Sequence, residues 1–210
     1  MRGRRPKLLV TGFGPFPTMP RNPSAVIARL VASDPRWRLL GVDVEVEVLT
    51  TAYRCLDAEL APALARKPDA VLMIGVAGRA KRIRIEARAT ARRSVLFPDA
   101  EGMKAERPSG SHAAVLRTPL SPTKLLLALK RHGLAPRASR DAGRYLCNAA
   151  YHHALATGLP AVFVHIPKEL TGTRPRERGV WRVSPRSRLA AALVESARLL
   201  LREGRLGTGR

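Results

Sequence analysis

Residues 70–75 read AVLMIG, an uncharged run that follows Pro68-Asp69. A short, unbroken apolar run bounded by turn residues is the pattern of a strand buried in a sheet. Before it, residues 52–66 carry a helical pattern, and residues 7–12 (KLLVTG) read as a second buried strand. Between these two strands, a Gly/Pro-rich loop runs to Pro20. Asn22-Pro23 then supplies an N-cap and a first-turn proline for a helix through about Val31. Residues 42–49 (VDVEVEVL) alternate apolar and acidic, as a half-exposed strand does.

Toward the C-terminus, residues 83–87 (IRIEA) alternate again, and a polar loop is expected over 98–112. Ser121-Pro122 opens a helix with Lys130, Arg131 and His132 in its last turn and Gly133 beyond it. A helix over about Leu146–Ala156, a strand at 161–166 (AVFVHI), a basic loop, and a helix from Ser184-Pro185 to about Gly204 complete the chain. Strands alternate with helices of ten or more residues. The expected fold is therefore α/β, a single three-layer α/β/α domain over 1–210 with a largely parallel central sheet.

Composition narrows the function. The chain has 210 residues, 45% of them hydrophobic, which suits one substantial core and argues against global disorder. No apolar run approaches the roughly 18 residues of a membrane span, and the apolar stretch after the basic start stops at Gly12, too early for a signal-peptide core. A cytoplasmic protein with no membrane partner is the expectation. Cys55 and Cys147, the two cysteines, lack the spacing of a zinc or redox motif and read as free thiols. The 38 Lys+Arg against 16 Asp+Glu give a net charge of +22. That excess predicts an incidental, salt-sensitive attraction to nucleic acid. No zinc-finger spacing or RNP-like aromatic motif accompanies the arginines.

Three residues could carry chemistry together. Cys147, in GRYLCNAAYHHALA (143–156), falls where a glycine turn feeds a helix. The positive helix end is expected to draw its thiol toward thiolate. His165 stands at the carboxyl end of a strand, where functional groups gather in open parallel sheets. Glu86 alternates with Ile83 and Ile85 on a strand. Thiol, imidazole and carboxylate are the parts of an activated cysteine nucleophile. Each also has an ordinary reading: a small core cysteine, a structural histidine, a solvated glutamate. His152 and His153 point away from Cys147 around the helix and read as surface residues, His112 and His132 lack a positioning strand end, and Cys55 sits on an apolar stripe with Leu56, Leu60 and Leu64. The loop TGFGPF (11–16) lacks the third glycine of a dinucleotide-binding turn. Its Phe13 and Phe16 form an aromatic pair beside a strand end, suited either to a flat neutral ring or simply to packing under the loop.

Several segments together resemble the pyroglutamyl peptidase I (pyrrolidone-carboxylate peptidase) family of cysteine peptidases. They are LLVTGFGPF (8–16) with Asn22-Pro23-Ser24, KPDAVLMIGVA (67–77), IRIEARA (83–89), FPDAEG (97–102), AGRYLCNAAY (142–151) and FVHIP (163–167). The resemblance implies an α/β/α fold, no cofactor, a homo-oligomer (dimer or tetramer), and peptides with N-terminal pyroglutamate as substrates. It implies the triad Cys147, His165 and Glu86, a lactam contact for Phe13 and Phe16, and a substrate-side position for Val76. The chain departs from the family pattern at Gly14, Pro17-Thr18, Val76, Ala91, Leu96 and Asp141. Two other readings stand beside it: a divergent member with weak or altered activity, and a basic nucleic-acid-associated protein without catalysis.

Overall fold

The computed structural model describes residues 4–105, 115–168 and 184–207, the last three without side chains. In chain order the elements are β1 (Lys7–Phe13), α1 (Pro23–Ala32), α2 (Arg36–Leu39), β2 (Asp43–Leu49), a π-helical turn (Leu56–Leu60) running into α3 (Ala61–Ala65), and β3 (Ala70–Ala77). Then follow β4 (Ile83–Glu86), β5 (Arg88–Thr90), β6 (Val115–Arg117), α4 (Pro122–Arg131), β7 (Pro136–Ser139), α5 (Leu146–Ala156), β8 (Ala161–Pro167) and α6 (Pro185–Gly207).

Six strands form one sheet in the order β2-β1-β3-β8-β4-β7. All neighbours are parallel except β4 and β8. The apolar runs predicted as buried strands occupy the middle: every residue of β8 is buried, and so are the first six of β3. Side chains alternate between two cores, as the period of a strand requires. Leu8, Val10, Leu72, Ile74, Val162 and Val164 join residues of α1, α4 and α6 on one face. Leu9, Val71, Met73 and Phe163 join the π turn, α3 and α5 on the other. The three-layer α/β/α arrangement and the largely parallel sheet agree with the expectation from sequence. Among the described residues, no helix is long and apolar enough to cross a membrane.

The local signals mostly hold. Asn22 caps α1 by accepting from Ser24 N, and Gly133 leaves α4 at φ +69°. Ser184 Oγ accepts from Ser187 N in the first turn of α6, whereas Ser121 makes no side-chain cap. The helix expected from Ala52 is regular only from about Leu56. Thr50 N donates to Glu59 Oε2 of the π turn itself and Tyr53 N to the distant Asp99 Oδ2, so side chains rather than helical bonds hold these two N–H groups of the approach. Three short strands, β5, β6 and β7, have no apolar pattern long enough to announce them. Within the expected polar loop, residues 106–114 lie outside the described residues, as does most of the basic loop before Ser184.

Candidate active site

The sheet register places the site. In β8, Phe163 and His165 are two apart and share the α5 face; across β3, Gly75 stands opposite His165. On the other side, Arg84 of β4 stands opposite His165 and Glu86 opposite Phe163. Gly75, His165, Arg84 and Glu86 thus lie on one face at neighbouring strand positions. His165 Nδ1 meets Glu86 Oε1 at 2.8 Å. Both residues are buried, Glu86 completely. Arg84 Nε approaches the same oxygen to 3.4 Å, close enough for an ion pair but without hydrogen-bond geometry. The ring of Phe163 packs on the imidazole with centroids 4.7 Å apart, and Tyr151 Oη donates to the Glu86 carbonyl at 3.0 Å.

Cys147 arrives from α5, second residue after the extended N-cap Tyr145. A Cβ built on Gly75 would lie 3.0 Å from Cys147 Sγ and 2.6 Å from Cζ of Phe163. The sulfur therefore sits directly over Gly75, the strand neighbour of His165. Only a residue without a side chain admits that approach. Asn148 anchors the helix start: its Oδ1 accepts from Thr90 N, and its Nδ2 donates to the carbonyls of Thr90 and Arg92. Tyr145 Oη donates to the Pro98 carbonyl at 3.0 Å. The unpaired N–H groups that open any helix lie beside the sulfur and suit an oxyanion.

One expectation is corrected. The helix end was expected to lower the Cys147 pKa, yet the thiol is pushed up to about 12, by burial first and by the Glu86 carboxylate second. The backbone at the helix start and Arg84 pull the other way, without winning. Desolvation of a thiolate outweighs a helix terminus whose effect is partial and local. Among the described residues no hydrogen bond joins Cys147 to His165. Nucleophile–base contacts of this kind often close only in the substrate complex.

The remaining candidates are placed as follows. Cys55 is fully buried among Leu56, Leu60 and Leu64, with its thiol pushed up to about 12 chiefly by burial. His132 pairs with Glu195, far from the site in the fold, while His152 and His153 are half-buried on α5. His112 lies outside the described residues. The aromatic pair is split: Phe13 is buried against Phe163 with centroids 6.4 Å apart, while Phe16 is half-buried in a loop bridge with Met19. The side chain of Val76 packs on the α1/α4/α6 core, the face opposite Cys147, because strand side chains alternate. Only its backbone can face the site. Gly75, Arg84, Asn148 and Tyr151 were not singled out from sequence. An isolated glycine in an apolar strand is the one visible signal among them.

An α/β/α sandwich that sets a helix-start thiol above a buried His–Glu pair is built as cysteine peptidases are, and this chain is one. It belongs to the pyroglutamyl peptidase family, whose model matches residues 6–170. The pyrrolidone-carboxylate peptidase of Streptococcus pneumoniae (strain 70585) is 32% identical over 172 residues, covering 77% of this chain and 78% of that protein. That of Clavibacter michiganensis is 28% identical over 213 residues, covering 97% and 98%. The crystal structure of Bacillus amyloliquefaciens pyroglutamyl peptidase I superposes with a TM-score of 0.73 at 25% identity, over 92% of this chain and 98% of that one. The pyrrolidone carboxyl peptidase of Thermus thermophilus gives 0.70 at 28% identity, over 89% and 98%.

Proposed function

We propose that this peptidase hydrolyses the amide bond after an N-terminal pyroglutamyl residue, with Cys147 as nucleophile, His165 as base and Glu86 orienting the base. The observation that carries the residue roles is the 2.8 Å contact of His165 Nδ1 with buried Glu86, beside the glycine that seats the Cys147 sulfur. A carboxylate on Nδ1 favours the tautomer with its proton there, leaving Nε2 free to accept. Burial and the Glu86 carboxylate hold the Cys147 thiol above its ordinary pKa, which favours attack and proton transfer going together. The S–C bond forms as the thiol proton moves to Nε2. The C–N bond then breaks as Nε2 returns that proton to the leaving amine. Water attacks the thioester, giving its proton to Nε2, and the proton passes to sulfur as pyroglutamate leaves. First-turn N–H groups of α5 hold the oxyanion in both halves.

A pyroglutamyl end is neutral, so its pocket needs apolar walls and amide hydrogen bonds rather than a counter-charge. Phe13, packed against Phe163 at the β1 end of the site, supplies such a wall, and Phe16 in the loop that follows is the second aromatic assigned to it. Val76 contributes through its backbone. Leu96, Phe97 and Met103, 74%, 64% and 62% exposed, are apolar surface that a homo-oligomer, dimer or tetramer, would cover. A cytoplasmic location is the accompanying inference. The purified protein, under reducing conditions, is expected to release reporter from a pyroglutamyl amide and little from prolyl or alanyl amides. Cys147→Ala is expected to reduce release to background. Equal cleavage of the alanyl amide would remove the specificity, and activity surviving in Cys147→Ala would remove the mechanism.

A further inference from the structure

Beyond His165 the sheet continues through β4 to the edge strand β7. Arg137 of β7 stands opposite Arg84, which stands opposite His165, so the three form one row on the face that carries the triad. At about 4.8 Å per strand, Arg137 lies roughly 10 Å from His165 between Cα atoms. The connection from β3 to β4 returns at the same end of the sheet, and it carries Arg79, Lys81 and Arg82. With Ala80 and Arg137, these residues line a cavity of about 290 Å³. All four cations are exposed, and none pairs with a carboxylate among the described residues.

The strand order gives this cavity a direction relative to the substrate. Phe13 ends β1, and the row across the sheet runs β1, β3, β8, β4, β7. If the lactam lies at the β1 end and the scissile bond at Cys147 and His165, the leaving peptide continues toward β4 and β7. At about 3.3 Å per extended residue, its second to fourth residues span that distance. We propose that the cleft of Arg79, Lys81, Arg82 and Arg137 is a subsite for carboxylates of the leaving peptide, so that the enzyme prefers pyroglutamyl peptides with Asp or Glu at the second to fourth positions of the leaving peptide. This rests on the pyroglutamyl reading of the catalytic site. Four unpaired cations converging on one cavity repel one another, and an acidic peptide relieves that repulsion as it binds.

The experiment compares kcat/KM for three amidated peptides, pyroglutamyl-Ala-Glu-Glu, pyroglutamyl-Ala-Gln-Gln and pyroglutamyl-Ala-Lys-Lys, alongside the pyroglutamyl reporter amide. At low salt the Glu peptide is expected to exceed the Gln peptide by about fivefold, and the Lys peptide to fall below both, as a few partly exposed charge pairs allow. The Glu/Gln ratio should fall toward one in about 0.5 M salt and, independently, in Arg82→Gln/Arg137→Gln. Equal constants for the Glu and Gln peptides at low salt, with the reporter amide hydrolysed, would overturn the subsite and leave the catalytic reading standing. Hydrolysis of neither peptides nor reporter would sink both. A double variant that loses oligonucleotide binding yet keeps the Glu/Gln ratio would reassign the cleft to polyanions.

Discussion

Arg84 Nε and His165 Nδ1 converge on one oxygen, Oε1 of Glu86, at 3.4 and 2.8 Å. Glu86 is fully buried, and its Oε2 has no hydrogen-bond partner among the described residues. A buried carboxylate in that position depends on the cation beside it. We therefore propose Arg84 as a positioning residue that balances the charge of Glu86 beside the imidazole.

Replacing Arg84 by Gln should lower both stability and turnover. Removing one partner of a buried ion pair costs up to about 3–5 kcal/mol, and the 22% exposure of Arg84 brings that to about 1–3. Adding Glu86→Gln to Arg84→Gln should recover part of the stability, since no unbalanced charge remains, and none of the activity. Denaturant unfolding and kcat measured on the single and double variants check both halves. A stability loss that is simply additive would show the two side chains to be uncoupled.

Gly75→Ala tests the seating of the sulfur. The added methyl would come within 2.6 Å of the Phe163 ring and 3.0 Å of Cys147 Sγ, so one of them must move. A misplacement of about 1 Å at a reacting atom can cost about 10²-fold, and kcat/KM should fall on that scale. Gly78→Ala is the control, because nothing lies within 4 Å of its added Cβ. Comparable loss in both variants would show that Gly75 does not seat the nucleophile.

How much of this was legible follows from what each residue does. β1, β3 and β8 announced themselves because strands buried on both faces must be apolar throughout. The Asn22-Pro23 start was visible because a cap is a local device. β5 and β7 were not, since three- or four-residue strands are defined by their partners. Cys147, His165 and Glu86 each kept an ordinary reading within their own segments, and the resemblance joined them. Their spatial relation depends on register: His165 opposite Gly75 and Arg84 is a fact of strand pairing, absent from any one segment. The same limit hid the split of Phe13 from Phe16. The helix-start argument for Cys147 failed because it weighed the terminus and not the desolvation around the sulfur.

Acids withdrawn from water, Cys55 fully and Cys147 and Tyr53 partly, should also govern alkaline stability. The Cys55 thiol, ordinarily near 9.0, is pushed up to about 12, as is that of Cys147, and Tyr53 rises from 10.0 to about 12, in each case chiefly by burial. A raised folded-state pKa favours the neutral form, so the unfolded chain gives up these protons first. The stability they contribute is complete below about pH 9 and is lost as pH climbs toward 12. Each thiol sets a slope of about 1.4 kcal/mol per pH unit within that window. Cys55→Ala should lower stability at neutral pH by a constant amount and make its decline above pH 9 shallower. An unchanged slope in urea titrations at several alkaline pH values would refute this.

The upward shift of the Cys147 thiol makes a kinetic prediction that separates two kinds of cysteine hydrolase. A preformed thiolate–imidazolium pair reacts with iodoacetamide at a rate already maximal at neutral pH. Here burial and the nearby Glu86 carboxylate push the Cys147 thiol up to about 12, so thiolate accumulates only at strongly alkaline pH. The alkylation rate of Cys147 should rise steadily from pH 7 to 10 without a plateau, while Cys55, fully buried, stays unlabelled in the native protein. Under the proposed roles peptidase activity need not follow that rise, because His165 would remove the proton within the attack itself and no free thiolate would be required. His165→Ala should therefore depress kcat far more than it depresses alkylation at pH 10. Peptide mapping of the labelled protein identifies the site, and labelling of Cys147 must abolish activity in proportion. A neutral-pH plateau in alkylation would assign the enzyme a preformed ion pair and replace the concerted attack.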